Sequence, residues 1–544
     1  MKIAPKYVVS PRRSFVKWLP LIIAIAFLTT AGCSSRNHYL QSESETLHRS
    51  IGGEPSTLDP GQATDTFSFA VLRDVYEGLT TDSPTGGIVP GVAESWTVNS
   101  TGTEYKFDLR PNARWSNGVR VKPQDFVRAW RRVVDPKAGS PVADNLRPIV
   151  GAPEIIAGKL PLSALGVRVV GKYSLVVKLS KPTPYFLQLL THTALFPVYS
   201  EAAAETHSPR NWVSNGPYKL SKWIPGEKII IAKNGNYWDS HNVKIATVVY
   251  LFTPDENAEL REYLAGEIDV TDSVPATALP WIKKHIPREL HVWPFLGTAY
   301  YAINMDNPRF RNNVALRKSL AMAIDRRLLV SDVLDFGQRP AYGFVPIGTW
   351  NYSPQFWEWR KLNDVQRIAE ARRLYKQAGY SRRKPLQIRL LINADSTIRD
   401  TALATAAMWK RTLGVQTQII EQEYRVFLQT RRDASQWDVA RLGWTADYDD
   451  ASDFLDIFRA RSPNNDARYA DPNFDFLMNE AAETGNPTQR RRILESAEAL
   501  MLSDYPVIPI YFYVSKCLVK PYVGGVHSTI MNRLYSKYLY IKPH

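Results

Sequence analysis

The stretch LQIRLLINADSTIRDTALATAAMWKRTLGVQTQII (residues 386–420) decides the fold class. Residues 386–390 alternate apolar and polar side chains as a half-buried strand does. A helical segment follows around 403–413, and the β-branched run 415–420 is typical of a second strand. Two strands joined through a helix pair in parallel, with the helix crossing over the sheet. This stretch therefore predicts an α/β fold.

The same order of elements recurs earlier in the chain. Residues 248–252 form a buried strand pattern, and Pro254 opens a helix that runs through Leu264. Gly266 is expected to end this helix, and residues 268–270 are predicted to resume a strand. The α/β organisation thus extends well beyond residues 386–420.

Two further helices are predicted to face the core. One has Asn363 as its N-cap and Gly379 just beyond its C-terminus. The apolar residues on its predicted inner face are Val365, Ile368, Ala371, Tyr375 and Ala378. The other helix carries its inner residues at a spacing of four: Leu316, Leu320, Ile324 and Leu328. The segment 105–134 is richer in short strands and is assigned to a mixed domain.

The amino terminus indicates export. Residues 18–28 are apolar but too short to span a bilayer, and positive charges precede them. The apolar run ends in small residues before Cys33, and this arrangement resembles a lipobox. It predicts that residues 1–32 are a signal peptide and that residues 33–47 are a lipid-anchored tether. Thr30 stands where Leu is usual, so a later cut without lipid remains an alternative. Residues 11–17 resemble a twin-arginine motif, which leaves the export route open.

Charge and cysteine content narrow the function classes. Removal of residues 1–32 takes away five positive charges and no negative ones, which leaves +10 of the +15. Export argues against nucleic acid as the partner, and the basic runs 382–384 and 490–492 are interpreted as solvated faces. With Cys33 lipidated, Cys517 has no disulfide partner in a monomer and is predicted to be an inert buried thiol. The mature chain of about 510 residues implies two or three domains.

Catalytic and metal-binding motifs are absent from the sequence. It contains no Gly-x-Ser-x-Gly elbow, no His-Glu-x-x-His and no Walker loop. Its nine histidines are scattered, and none stands at ligand spacing from a cysteine or another histidine. We therefore expect a protein that is not an enzyme and that holds no cofactor and no metal.

Residues 443–453, GWTADYDDASD, form the densest candidate site. A calcium loop is disfavoured because Ser452 stands where the turn needs glycine. Asp450 or Ser452 is expected to cap a helix through Phe458. Asp447 is left without such a role. A carboxylate after a Gly-Trp strand end, flanked by aromatic residues, could pair with a ligand cation such as a peptide α-ammonium.

These residues, with several other segments in order along the chain, resemble the oligopeptide-binding proteins of ABC importers (solute-binding proteins of family 5). The matching segments are Pro90–Trp96, Leu109–Gly118, Asn215–Tyr218, Asn236–Trp238, Ala323–Arg326 and Leu518–Gly525. The resemblance covers essentially all of the mature chain.

The resemblance implies a two-lobed periplasmic-binding-protein clamshell with an inserted α+β domain. Lobe I would comprise 48–76, 202–296 and 514–544, the inserted domain II 77–201, and lobe II 297–513. The lobes would close over a peptide, and the ABC permease would read the closed state. The protein is expected to be a periplasmic monomer attached by its lipid to one of the two membranes.

The resemblance also implies site residues. Asp447 matches the carboxylate that holds the peptide amino terminus. Gly443, Trp444 and Thr445 match the segment that pairs with the peptide backbone, and Thr64, Asp65 and Thr66 match the opposing main chain. The matching pocket positions are Val142, Tyr300, Tyr424, Arg431, Arg441 and Tyr513.

The chain departs from the family pattern at several positions. Leu334 and Ile398 replace basic residues that hold the peptide carboxylate in broad-range members, and Val142 replaces a common pocket tyrosine. Gly297 and Thr445 replace a cysteine pair found in some members. Arg441 or Arg431 could hold the carboxylate instead, or each could form an internal salt bridge. The expected function is peptide capture for an importer.

Other ligands and another class remain as alternatives. A receptor of the same fold could take murein peptide, antimicrobial peptide, a nickel chelate or haem, and murein peptide leads because the carboxylate partners are lost. An exported hydrolase or a chaperone-like scaffold is the alternative of another class.

Overall fold

The computed structural model describes residues 46–199 and 212–543. The predicted signal peptide, Cys33 and most of the predicted tether lie outside the described residues. Among those described, no helix has the length and apolar character needed to cross a membrane. The strands, in chain order, are β1 Thr46–Ser50, β2 Thr80–Asp82, β3 Ile88–Pro90, β4 Ala93–Val98, β5 Glu104–Leu109, β6 Val167–Val170, β7 Ser174–Lys178, β8 Tyr218–Ile224, β9 Lys228–Lys233, β10 Thr247–Leu251, β11 Leu290–Ile303, β12 Arg339–Pro340, β13 Gln387–Asn393, β14 Gln416–Gln422, β15 Val439–Thr445, β16 Val507–Leu518, β17 Val523–Gly524 and β18 Tyr540–Ile541.

Helices lie between and against these strands. In chain order they are α1 Thr66–Val75, α2 Pro123–Val134, α3 Ala152–Ile156, α4 Phe186–Leu189, α5 Glu256–Ala265, α6 Leu279–His285, α7 Pro308–Arg311, α8 Val314–Met322, α9 Arg326–Leu328, α10 Asp364–Gln377, α11 Ser396–Leu413, α12 Tyr424–Thr430, α13 Ala451–Leu455, α14 Pro472–Glu483 and α15 Pro487–Asp504. The mixture of parallel and antiparallel strands with helices confirms the α/β prediction.

The largest sheet has the strand order β12-β16-β11-β15-β13-β14. Strands β13 and β14 pair in parallel from Gln387–Gln416 to Asn393–Gln422, and α11 connects them. Gly414 ends α11 at a φ of +84°, a left-handed conformation that glycine adopts without strain. The strand–helix–strand unit predicted from 386–420 is therefore confirmed. The long strands β11 and β16 pair antiparallel along the middle of the sheet.

A second sheet, in the order β1-β10-β9-β8, contains the earlier α/β unit. Helix α5 follows β10 and ends at Gly266, as predicted. The strand predicted at 268–270 is wrong: Val270 forms only isolated bridges, parallel to Arg49 and antiparallel to Val519. The bridge partners come from two different chain segments, so no regular ladder extends from them. A third sheet, β4-β5-β7-β6, is antiparallel and packs with α2, as expected of a mixed domain. The expectation that residues 105–134 are rich in short strands is wrong, since this segment contributes only β5 and is then helical over Pro123–Val134.

The two predicted inner helical faces need correction at their ends. Val365 is 80% exposed, because the first turn of α10 projects beyond the core. Arg367 takes the inward position and pairs with Asp364 at 3.0 Å. The helix through Leu316 ends at Met322, because Asp325 accepts the N–H groups of the next turn and starts α9. Leu328 is consequently left at the surface.

Two large hydrophobic cores organise the described chain. One draws its buried residues from 296–511 and surrounds the six-stranded sheet. The other draws them from 47–270 and from four positions between 517 and 539. Cys517 belongs to the second core, and burial raises the pKa of its thiol to about 12, as expected of an inert thiol. The lobe boundaries stay a prediction.

Candidate functional site

Strand β15 has one edge without a strand partner along its second half. The strand pairs with β11 over its whole length, from Ile303–Val439 to Gly297–Thr445. Its pairing with β13 covers only Val439 and Ala440. Within the described chain, residues 441–445 therefore lack a strand on their other side. Such an edge offers main-chain donors and acceptors to an extended ligand.

Tyr513 packs over two glycines at this edge. A Cβ on Gly443 would lie 2.4 Å from the Tyr513 hydroxyl, and one on Gly297 would lie 2.5 Å from Cδ2 of the same ring. A side chain at either position would therefore displace the ring of Tyr513. Gly297 and Thr445 are register partners, so these two positions lie directly opposite each other on β11 and β15.

Asp447 follows the free edge. Its N–H donates to the carboxylate of Asp453 at 3.3 Å, and the Trp444 indole donates to the same oxygen at 2.9 Å. Asp453 therefore holds the 444–447 segment in place. Burial and the neighbouring charge of Asp447 raise the pKa of Asp453. Burial also raises the pKa of Asp447, whose carboxylate forms no ion pair with any described residue.

Asp450 caps α13, as the sequence predicted. Its side chain accepts the Ser452 N–H at 2.9 Å. It also accepts hydrogen bonds from both terminal nitrogens of Arg490, at 2.7 and 2.8 Å, and both side chains are buried. The interpretation of residues 490–492 as a solvated face is therefore wrong at Arg490, whose charge is compensated inside the protein. The aspartate-rich segment thus anchors itself to α15. Nothing resembling a metal-binding group of acids, histidines or cysteines occurs in the described ranges.

Two cavities meet at Asp447. The first has a volume of about 360 Å³ and is lined by Thr64 and Thr66 as well as by Thr445 and Asp447. The structure therefore brings these predicted backbone partners to one space. The side chain of Asp65 has a different role, since it caps α1 by accepting the Ser68 N–H at 2.7 Å.

The second cavity has a volume of about 420 Å³ and is lined by Tyr185, Tyr448, Asp456 and Met478 besides Asp447. The rings of Tyr185 and Tyr448 stack with centroids 4.2 Å apart. Val142 is buried behind this cavity and is not part of its lining. Its carbonyl accepts from the side chain of Asn145, which does line it.

The two candidate arginines have different partners. Arg431 lies 3.7 Å from the carboxylate of Asp466, as an internal salt bridge would. Arg441 is buried and donates to the hydroxyls of Tyr511 and Tyr513 at 2.9 and 3.2 Å. No carboxylate of the described chain lies within ion-pair distance of Arg441. Among the described residues, its hydrogen-bond partners are therefore neutral hydroxyls.

The remaining predicted positions lie in two settings. Tyr300 is buried against Phe344, whereas Tyr424 is 57% exposed and stacks on Phe427. Leu334 is buried in the core around the six-stranded sheet, and Ile398 packs against that core. Neither position carries a charge.

Sequence reasoning missed the positioning role of Asp453. It also missed Arg73 and His192, which line the first cavity. No local pattern marks these residues, because each acquires its role from a segment distant in the chain.

Glu259 lies beneath the first cavity and provides a test of the electrostatics there. Its carboxylate accepts the N–H of Asp272, a cavity residue, and burial raises its pKa to about 7. The folded state holds this proton more strongly than the unfolded chain. Stability is therefore expected to fall as the pH rises from about 4.5 to 7, by up to about 3 kcal/mol.

Urea unfolding of the unmodified protein and of Glu259→Gln at a series of pH values measures this loss. In Glu259→Gln, the free energy of unfolding should not show the part of the decline that comes from Glu259. Two curves of identical slope between pH 5 and 8 would contradict the assignment.

This chain is similar to known proteins in both sequence and structure. Residues 87–466 match the model of the bacterial extracellular solute-binding proteins, family 5. The periplasmic oligopeptide-binding protein OppA of Escherichia coli K12 is 38% identical over 92% of this chain and 94% of its own.

Two solved structures are also similar. One is the murein tripeptide-binding protein MppA in its unliganded open form, with a TM-score of 0.82, 35% identity and coverage of 92% of this chain and 98% of that one. The other is Haemophilus influenzae OppA in complex with the peptide RPPGFSPFR, with a TM-score of 0.75, 34% identity and coverage of 92% and 99%. The two-lobed α/β fold is thereby confirmed, and the chain belongs to the bacterial extracellular solute-binding proteins of family 5.

Proposed function

We propose that this protein is the peptide receptor of an ABC importer. The observation that carries the proposal is the free edge of residues 441–445, which ends at the unpaired carboxylate of Asp447. An extended peptide pairs with this edge as an added strand. Its α-ammonium reaches Asp447, to which the described residues provide no cation.

The opposite wall supplies the second partner of the peptide backbone. Thr64 and Thr66 line the first cavity across from Thr445. The lobes, with the boundaries 48–76, 202–296 and 514–544 for lobe I, 77–201 for domain II and 297–513 for lobe II, close over the ligand. Contacts made only in the closed state stabilise it, and the permease recognises that state.

Arg441 binds the peptide carboxylate. It is buried, and within the part of the chain that the structure describes its hydrogen-bond partners are only the hydroxyls of Tyr511 and Tyr513, whereas Arg431 already pairs with Asp466. A guanidinium in this setting gains a charge-assisted hydrogen bond from a carboxylate that its tyrosine partners do not provide. Murein peptide is the second candidate ligand, favoured by the apolar residues at Leu334 and Ile398 and by the likeness to a murein tripeptide-binding protein.

Native mass spectrometry with tri- to pentapeptides tests the function. We expect a one-to-one complex from which the peptide is recovered intact, since a receptor does not cleave its ligand. A murein tripeptide in competition decides between the two ligand classes. Arg441→Met should abolish the difference in affinity between free-acid and amidated peptides, while Arg383→Met, at an exposed position, should preserve it. Cleaved peptide or no complex at all would contradict the proposal.

The protein acts outside the cytoplasm, held to a membrane by lipid on Cys33. The sequence before Cys33 supports this location, as do the periplasmic relatives. Cys33→Ser is expected to move the protein from the membrane fraction to the soluble periplasmic fraction without changing its affinity for peptide. The measurement is fractionation after a high-salt wash. A variant that still sediments with membranes would exclude lipid as the anchor.

A further inference from the structure

We propose that Arg73 and His192 form a carboxylate-binding site in the first cavity and that it takes an acidic side chain of the bound peptide. The proposal rests on the proposed function, because it concerns the specificity of the same cleft. It adds a ligand contact from the wall that carries α1, opposite the strand edge.

Arg73 lies in the last turn of α1 and lines the cavity together with Thr66 and Phe69 of the same helix. Its guanidinium lies 5.5 Å from the centre of the Phe69 ring. The side chain forms no hydrogen bond and no ion pair within the described chain, and its Nε is buried without a partner. A half-buried cation whose Nε lacks an acceptor is costly unless a ligand provides one.

The acidic side chains near Arg73 are paired with other arginines, so the positive charge of Arg73 is not compensated. Arg49 lies 3.8 Å from Asp74, and Arg533 lies 2.8 Å from Asp82. The two aspartates are therefore already engaged by the two other arginines. Burial and the neighbouring charge of Arg533 lower the pKa of Arg73 to about 10. An anion beside Arg73 would relieve both effects.

His192 contributes a second unused donor. The Ala194 N–H donates to its Nδ1 at 3.1 Å, so the proton of the neutral ring is on Nε2. Nε2 has no hydrogen-bond partner in the part of the chain that the structure describes. The side chain is 9% exposed and packs edge-to-face on Phe69, with centroids 5.3 Å apart. Burial, followed by the charges of Arg73 and Arg533, lowers the pKa of His192 to about 3, which keeps the ring neutral.

The two donors select a carboxylate near the peptide amino terminus. A planar guanidinium and an imidazole N–H against one aromatic ring suit the two oxygens of a carboxylate. Asp272 and Asp447 also line this cavity, but neither is within ion-pair distance of Arg73. In the proposed function, the carboxylate of Asp447 pairs with the peptide α-ammonium. A peptide that bears Asp or Glu among its first residues satisfies both groups.

Isothermal titration calorimetry with tetra-alanine peptides tests the site. Each of the first three positions is replaced in turn by Glu or by Gln. We expect Glu to bind about tenfold or more tightly than Gln at one position in the unmodified protein. This ratio should fall to one in Arg73→Met. In Arg73→Lys it should take an intermediate value, because lysine keeps the charge but cannot donate two parallel hydrogen bonds as the guanidinium does. Arg383→Met, which removes an exposed charge, should retain the full ratio.

A further pair of peptides separates the two sources of carboxylate. If Arg73→Met instead abolishes the preference for a free-acid over an amidated carboxyl terminus, the site takes the peptide terminus. Equal Glu/Gln and acid/amide ratios in Arg73→Met and in the unmodified protein would overturn the proposal.

Two measurements keep the test independent of peptide binding and of folding. Without ligand, Arg73→Met should melt at the same temperature as the unmodified protein or higher, since it removes an uncompensated cation. A clear decrease in Tm would indicate a structural role and count against the site.

Sodium acetate should shift the Nε2 resonance of His192 in the ¹⁵N-histidine spectrum, and Arg73→Met should abolish the shift. If no peptide binds, the proposed function fails, while acetate still decides the carboxylate site. The absence of any Arg73-dependent effect of acetate would then overturn it.

Discussion

Asp447→Asn is expected to weaken the binding of free-amine peptides by about 2–5 kcal/mol, because the closed cleft would hold an ammonium without its counter-ion. The amide keeps the size of the side chain and removes its charge. Burial raises the pKa of Asp447 in the absence of ligand, which means that the charged carboxylate is destabilised there. A ligand ammonium would stabilise it. Binding is measured by titration calorimetry with matched free and acetylated peptides.

The acetylated peptide is the control ligand for Asp447. Its affinity should not fall in the variant, since neither complex contains the charge pair. Asp400→Asn, at an exposed position of α11, is the control variant and should leave both affinities unchanged. An unmodified protein that binds free and acetylated peptides equally would falsify the role assigned to Asp447.

Asp450→Ala is expected to destabilise the protein by about 3–5 kcal/mol, because it leaves Arg490 buried without its partner. The pair is bidentate and both side chains are buried, and Asp450 also caps α13. The measurement is the free energy of unfolding in urea. Glu370→Ala is the matched control: Glu370 binds Arg373 through two hydrogen bonds of 2.7 and 2.8 Å, but at the surface. Its loss should cost less than about 1 kcal/mol.

A double variant separates the pair from the cap. Asp450→Ala combined with Arg490→Met removes the unpaired charge and should recover part of the lost stability. The remaining loss then reports the helix cap, about 1 kcal/mol. If the double variant is less stable than Asp450→Ala alone, the unpaired arginine is not the cause of the loss.

Much of the fold could be predicted because it follows from local patterns. The alternation at 386–390, the cap at Asn363 and the glycine at 266 act within one or two turns of chain. The errors occurred where distant segments decided the outcome. Val365 has the period of an inner residue, but the core does not reach the first turn of α10.

The candidate site was predictable only in part, for the same reason. Asp447 stood out because its neighbours in sequence gave it no capping role. The availability of Arg441 and the engagement of Arg431 could not be distinguished, because Tyr511 and Asp466 reach them from other segments. Arg73 and His192 carry no signal in sequence, since they are brought together at one phenylalanine ring only in the folded chain.

The sequence by itself thus determined the α/β fold class, the predicted export signal with Cys33, and the family, through segments that match in order. These properties depend on residue type and spacing, which short stretches of chain contain in full. The tertiary structure decided which strand edge stays open, and which aspartate and which arginines have no partner of opposite charge among the described residues. These properties depend on which groups surround a side chain, and folding brings those groups together from segments that are far apart in the sequence.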